Sequence, residues 1–217
     1  MENKRQALLS CFIGATGSGK TTICSQMIKH FRKSHKSSKV IGFDPHDVLM
    51  NEELLDHYIM PSDDAWAERM TKKDKAGNFR YANCFLALDD YRALLRSNVT
   101  PDDVLDLLML RRRMSLDIVY ITHNPKLILE RFAYFTNQYC IFYTESEGSD
   151  FSDKIPKYSI CQKGANLINR YVMKLGGVDS NIYRSLYPNF PYVVINTKTS
   201  ELNCINMDQK IVSTLYG

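Results

Sequence analysis

Apolar runs of strand length alternate along this chain with segments of helical period. Ala7–Gly14, ALLSCFIG, is continuously apolar and ends in glycine, the pattern of a strand covered on both faces. Lys20–Lys33 places Ile23, Met27, Ile28 and Phe31 at helical spacing, which predicts a helix. Ser38–Asp44, SKVIGFD, predicts a second strand stopped at Pro45, and the charged stretch His46–Arg80 predicts short helices and a loop. Cys84–Tyr91, CFLALDDY, is again apolar and is stopped by two acids. At Thr100-Pro-Asp-Asp a helix begins, with Thr100 as cap, Pro101 at the first helical position and two acids at the positive end of the dipole. It runs to Met114.

Asp117–His123, DIVYITH, predicts a strand and Pro125–Phe135 a helix; Gln138–Thr144, QYCIFYT, predicts another strand. Pro191–Met207, PYVVINTKTSELNCINM, reads as two strands around a turn, a terminal hairpin. Strands alternating with helices imply an α/β protein with a mainly parallel sheet and an antiparallel edge near the C-terminus.

With 217 residues and 44% hydrophobic, the chain can bury one sizeable core, and the simplest division is one domain over residues 1–217. A net charge of +4 is too modest for a protein that coats nucleic acid by itself. The six cysteines are scattered without a C-x-x-C pair, and three sit in apolar strand-like runs. Buried free thiols follow, and with them a reduced, cytoplasmic setting. No stretch approaches the ~20 apolar residues of a membrane span. The start, MENKRQALLS, is basic but turns polar again at Gly14, too early for a signal peptide. Thr71–Arg80, TKKDKAGNFR, reads as an exposed loop.

Candidate chemistry is concentrated in Gly14–Thr21, GATGSGKT, which matches G-x-x-x-x-G-K-S/T between an apolar strand and an amphipathic helix. A random chain of this length would match somewhere with a probability of roughly 1%, before that context is required. Gly14, Gly17 and Gly19, with Ala15, Thr16 and Ser18 between them, let the backbone curl so that amides point at phosphate oxygens. The helix aims its positive end at the same place. Lys20 supplies a charge for the β- and γ-phosphates, the Thr21 hydroxyl is a ligand for Mg²⁺, and Thr22 completes the first turn. The motif implies a bound nucleoside triphosphate, ATP with Mg²⁺.

A metal carboxylate is expected at the tip of a neighbouring strand, and FLALDD supplies Asp89 for it. Asp90 would orient or deprotonate the attacking water, although acids also end buried strands simply as turn residues. Thr122-His123-Asn124 ends another strand. His123 would sense the γ-phosphate there, or would merely open a helix cap with Asn124 and Pro125. Arg111, Arg112 and Arg113 close a helix, where cations favour the dipole. Arg111 falls on the stripe of Val104, Leu107 and Leu108, and one of the three could reach a neighbouring subunit as an arginine finger.

With these pieces in order, the chain resembles the FtsK/HerA superfamily of P-loop ATPases, most of all the small genome-packaging ATPases of tailless viruses with internal membranes. GATGSGKTT resembles that superfamily's phosphate loop, and IGFDPHD (Ile41–Asp47) the end of its second strand. FLALDD stands where the superfamily has Asp-Glu, with Asp90 in place of Glu. RRRMSLDIVYITHNP (Arg111–Pro125) resembles its arginine-bearing helix end and sensor strand, with His123 in place of the usual glutamine. QYCIFYTESEG and the hairpin also fit, so the likeness covers nearly the whole chain.

The resemblance implies a RecA-like P-loop NTPase fold and a homo-oligomeric ring with nucleotide at subunit interfaces. It further implies double-stranded DNA in the channel, capsid or portal-vertex proteins as possible partners, and a site in the host cytoplasm or virion. Lys20, Asp90, His123 and Arg112 would be catalytic. Lys72, Lys73, Lys75 and Arg80 would be channel residues, or plain solvated surface. Three other readings stay open. One is a nucleotide or small-molecule kinase, although Lys154, Lys157, Lys163 and Arg170 are too scattered for an arginine-rich lid. Another is a filamentous-phage-type morphogenesis ATPase, normally membrane-anchored. The last is a binding module that does not hydrolyse nucleotide.

Overall fold

The computed structural model describes residues 7–95, 100–145 and 151–216; the basic start Met1–Gln6 and the end of the ESEG run lie outside the described residues. The protein is α/β, with eight mostly parallel strands among helices in the described residues. It divides into two compact units, one formed by the chain up to Leu9 with Cys24–Ile121, the other by Ser10–Ile23 with Thr122–Gly217. No helix among the described residues is long and apolar enough to cross a membrane.

In the first unit, β2 (Val40–Phe43) pairs in parallel with the two-residue β3 (His57–Tyr58) on one side and β4 (Phe85–Leu88) on the other. On its far side β4 pairs in parallel with β5 (Asp117–Thr122). Every residue of β2 and β4 is buried, as continuous apolar runs in a covered parallel sheet require. Helix α1 (Lys20–Ser34) brings Phe31 against Phe85 with ring centroids 5.4 Å apart. Helix α3 (Trp66–Thr71) packs on α5 (Asp102–Met114), and short α2 (Val48–Asn51) and α4 (Tyr91–Leu95) follow β2 and β4.

Helix α5 starts after Pro101, whose ψ of 151° keeps it at the N-cap instead of inside the helix. Thr100 is thereby one residue too distant to cap, and its buried Oγ1 has no hydrogen-bond partner. The TKKDKAGNFR loop is exposed as expected but is not shapeless. A bridge joins Lys73 to Phe79, and the Asp74 carboxylate accepts from the amides of Ala76 and Asn78, each at 2.9 Å.

In the second unit, β1 (Leu9–Ile13) runs parallel to β6 (Gln138–Ile141). β6 pairs antiparallel with β7 (Tyr192–Asn196), and β7 with β8 (Leu202–Ile205), giving the expected hairpin. Helix α7 (Tyr158–Lys174), which the strand and helix pattern did not single out, packs on β6 and β7, and α9 (Gln209–Tyr216) packs on α7. The helix expected over Pro125–Phe135 is broken. A 3-10 turn at Pro125–Leu127 is separated from α6 (Glu130–Phe135) by extended Ile128 and Leu129. Short α8 (Asn181–Arg184) precedes the hairpin. None of the six cysteines is in a disulfide, and five are buried.

Candidate functional site

The loop between β1 and α1 is held at several points. The Gly14 amide donates to the Thr122 carbonyl at 3.2 Å, the Ala15 amide to Tyr143 at 2.7 Å, and the Ser18 amide back to Ala15 at 3.3 Å. Gly17 and Gly19 have φ of 77° and 93°, where a side chain would be strained. These two glycines give the curl that the sequence motif calls for. Thr21 and Thr22 lie half-buried in the first turn of α1.

Lys20 is only 5% exposed, which for an ammonium demands partners. Its Nζ donates to the Ala15 carbonyl at 2.8 Å and lies 3.4 Å from Nδ1 of His123. The loop residues and His123, distant in sequence, are therefore assembled. Asn124 accounts for the turn chemistry, since its Oδ1 accepts from the Lys126 amide at 2.8 Å and Thr122 Oγ1 donates to its carbonyl at 3.2 Å. With the cap supplied by Asn124, the ring of His123 is left beside Lys20.

A cavity of ≈ 380 Å³ lies here, lined by Ala15, Thr16, His123, Asn124 and Glu145. Glu145 carried no assignment from sequence. It follows Thr144, which is 3% exposed and whose amide donates to Asn169 Oδ1 on α7 at 2.8 Å. The surroundings suit a polyphosphate on three counts. Lys20 brings positive charge, a Cβ added at Gly17 would meet nothing within 4 Å, and the buried Ser18 Oγ has no hydrogen-bond partner.

Behind the loop stand two aromatic residues that no motif announces. The Tyr183 hydroxyl, fully buried, donates to the Ser18 carbonyl at 2.9 Å. The Phe190 ring lies where a side chain at Gly19 would go, 2.4 Å from the position of an added Cβ. Tyr183 and Phe190 stack with centroids 5.3 Å apart. Tyr183 is 165 positions from Ser18, so only an aligned set of relatives or the fold itself could have singled it out.

The remaining sequence candidates belong to the first unit. Asp89 is 3% exposed at the tip of β4, and its amide donates to the Phe43 carbonyl at 2.8 Å. Asp90 is half-buried with φ 46°, a conformation Asp tolerates better than most residues. Its carbonyl accepts from the Ala93 amide at 2.8 Å and so opens α4. Asp44, from the IGFDPHD segment, is completely buried. One of its oxygens accepts from the Leu49 and Met50 amides at 2.6 and 3.1 Å, and Oδ1 has no hydrogen-bond partner.

The three arginines separate as their helical phase requires. Arg111 is 3% exposed with Nη1 donating to the Leu108 carbonyl at 2.6 Å, whereas Arg112 and Arg113 are exposed. Burial, and secondarily the charge of Arg112, lowers Arg111 from 12.5 to about 10. Lys72, Lys73, Lys75 and Arg80 are all exposed; Lys72 pairs with Glu68 at 3.2 Å and Lys73 lies over the Phe79 ring.

No protein-family model matches the sequence, and no curated protein does. Solved structures do share the fold. The genome packaging NTPase B204 of Sulfolobus turreted icosahedral virus 2, in complex with AMP, superposes with a TM-score of 0.58 at 12% identity, over 92% of this chain and 96% of that one. The N-terminal domain of zonular occludens toxin from Neisseria meningitidis gives 0.51 at 12% identity, over 96% and 98% of the two chains. Thermomonospora curvata EccC, ATPases 2 and 3, gives 0.57 at 10% identity, over 93% of this chain and 36% of that one. At these identities the likeness is one of fold alone.

Proposed function

We propose that the protein is an ATP-hydrolysing subunit of a double-stranded DNA translocase that packages a viral genome. The observation that carries the reading is the phosphate loop itself, with Lys20 seated between the Ala15 carbonyl and His123 beside a polar cavity. Support for the translocase reading comes from the fold shared with a genome packaging NTPase that was solved with AMP and, in another crystal, with ATP-gammaS.

In this reading the loop amides and the N-terminus of α1 bind the β- and γ-phosphates, and Lys20 neutralises their charge. By the sequence motif, Thr21 and Asp89 would hold Mg²⁺, which offsets negative charge on the phosphate oxygens. Asp90 would take the proton of a water attacking the γ-phosphorus as the bond to the bridging oxygen breaks, leaving ADP and phosphate. His123 would hydrogen-bond to the γ-phosphate and register its loss. Arg112, exposed, would reach the nucleotide of an adjacent copy in a ring. DNA in the channel and capsid or portal-vertex partners extend the same reading.

The deciding experiment is ATP hydrolysis with and without double-stranded DNA, with Lys20→Ala as blank and light scattering in parallel. Turnover that is stimulated by DNA in an assembled species supports the translocase. Turnover indifferent to DNA sinks it, and a phosphorylated metabolite in place of free phosphate would establish the kinase reading.

A further inference from the structure

We infer that Tyr183 and Phe190 together form a positioning clamp that fixes the Ser18–Gly19 peptide of the phosphate loop, so that segment 181–190 sets the loop's affinity for phosphate. The inference deepens the reading of Gly14–Thr21 as a nucleotide-binding loop and rests on it.

The Ser18 carbonyl and the Gly19 amide belong to one planar peptide group. The only cis peptide among the described residues is Tyr187–Pro188, so this bond is trans and its C=O and N–H point in opposite directions. Tyr183 holds the carbonyl from a fully buried hydroxyl at 2.9 Å. Fixing the oxygen on that side directs the Gly19 N–H to the other, which is the orientation an anion-binding loop needs.

Gly19 is the residue at which such a peptide could most easily turn over, because glycine crosses between positive and negative φ at low cost. Phe190 opposes that rotation by occupying the space beside its Cα. Phe190 is itself fixed. Tyr183 stacks on it, Tyr187 meets it edge-on at 6.1 Å, and Asn206 Nδ2 donates to its carbonyl at 3.1 Å. Burial pushes the Tyr183 phenol far above its ordinary 10.0, so the hydroxyl stays a donor throughout the usable pH range. A turned peptide would aim a carbonyl dipole at phosphate in place of an amide.

The test is ADP binding by calorimetry well below the melting temperature, on wild type, Tyr183→Phe, Phe190→Leu and Tyr139→Phe. Tyr139 is an apt control, since its hydroxyl is also buried and donates to a backbone carbonyl, that of Ala133 at 3.3 Å, away from the loop. Removing a buried hydrogen bond that orients a ligand-binding group predicts roughly fivefold to tenfold weaker ADP binding in Tyr183→Phe. Phe190→Leu should weaken binding similarly, and Tyr139→Phe should lower the melting temperature with affinity unchanged.

Equal affinity in Tyr183→Phe and Tyr139→Phe, with wild type still binding and Lys20→Ala not, would overturn the clamp while leaving the nucleotide loop intact. Wild type binding no better than Lys20→Ala would overturn both.

Discussion

The ammonium of Lys20 lies 3.4 Å from Nδ1 of His123, a residue 103 positions further along the chain. An ammonium can only donate, so a hydrogen bond between them assigns the Nδ1 lone pair as acceptor and places the ring proton on Nε2. In the proposed reading, the Nε2 proton is the one His123 would offer to the γ-phosphate. Replacing His123 with Ala is expected to lower ATP turnover about tenfold while ADP affinity changes less than about threefold. His123→Gln should retain most of the turnover, because an amide can donate similarly. Equal losses of binding and turnover would instead mean that His123 merely positions Lys20.

The two acids divide differently. Asp89→Asn should abolish Mg²⁺-dependent turnover while Mg²⁺-free nucleotide binding persists, and Asp90→Asn should slow turnover roughly 100-fold with binding intact. Parallel single-turnover assays and equilibrium titrations check this. Fast hydrolysis in Asp90→Asn would remove that residue from the base role.

Gly17 and Gly19 both have positive φ, yet only Gly19 faces an occupied space. Gly17→Ala is expected to cost about 1 kcal/mol of stability from backbone strain alone. Gly19→Ala adds a collision with Phe190 and should cost about 3 kcal/mol or more. Urea denaturation of the two variants settles the order. Equal costs would contradict the packing behind the loop.

Arg111, buried, and Arg112, exposed, should respond differently to replacement. Arg111→Ala should destabilise the fold by about 3 kcal/mol, since it empties a buried site and removes the side-chain hydrogen bond to the Leu108 carbonyl. Arg112→Ala, at the surface, should leave stability within about 0.5 kcal/mol. If Arg112 acts on an adjacent copy, its loss reduces turnover in the assembled protein, and mixing with Lys20→Ala subunits should restore part of it. Unchanged turnover in the assembled Arg112→Ala protein would exclude the finger.

Stability should fall on the alkaline side. Burial pushes Cys140 and Cys161 from 9.0 up to about 12, so the folded protein keeps two protons that unfolded thiols release above pH 9. The folded state binds more protons in that interval, and stability is lost as pH rises from about 9 toward 12. Thermal melts at pH 7.5 and pH 10 should show the drop. Under native conditions at pH 8 a thiol reagent should reach Cys204 first, since the other five are buried.

The strands were legible because a covered parallel strand must be apolar at every position, and LSCFI, VIGF, FLAL and DIVYIT are nearly so. The phosphate loop was legible because its glycines and lysine are contiguous. Helix α7 was less plain because Gly164, Asn166 and Asn169 lower its helical propensity, although Cys161, Ala165, Ile168 and Val172 do fall at helical spacing on its buried face. The 3-10 turn and the two extended residues at Ile128 and Leu129 depend on neighbours, and local propensity favoured one unbroken helix.

The sequence by itself determined the strand and helix alternation, the loop chemistry of Gly14–Thr21 and the acid pair Asp89-Asp90, all of which are local patterns. Only the tertiary structure decided that His123 stands at Lys20 and that Tyr183 and Phe190 back the loop. Those relations join residues far apart in the chain. They depend on which backbone groups remain to be satisfied once the strands have paired, and no spacing in the sequence encodes that.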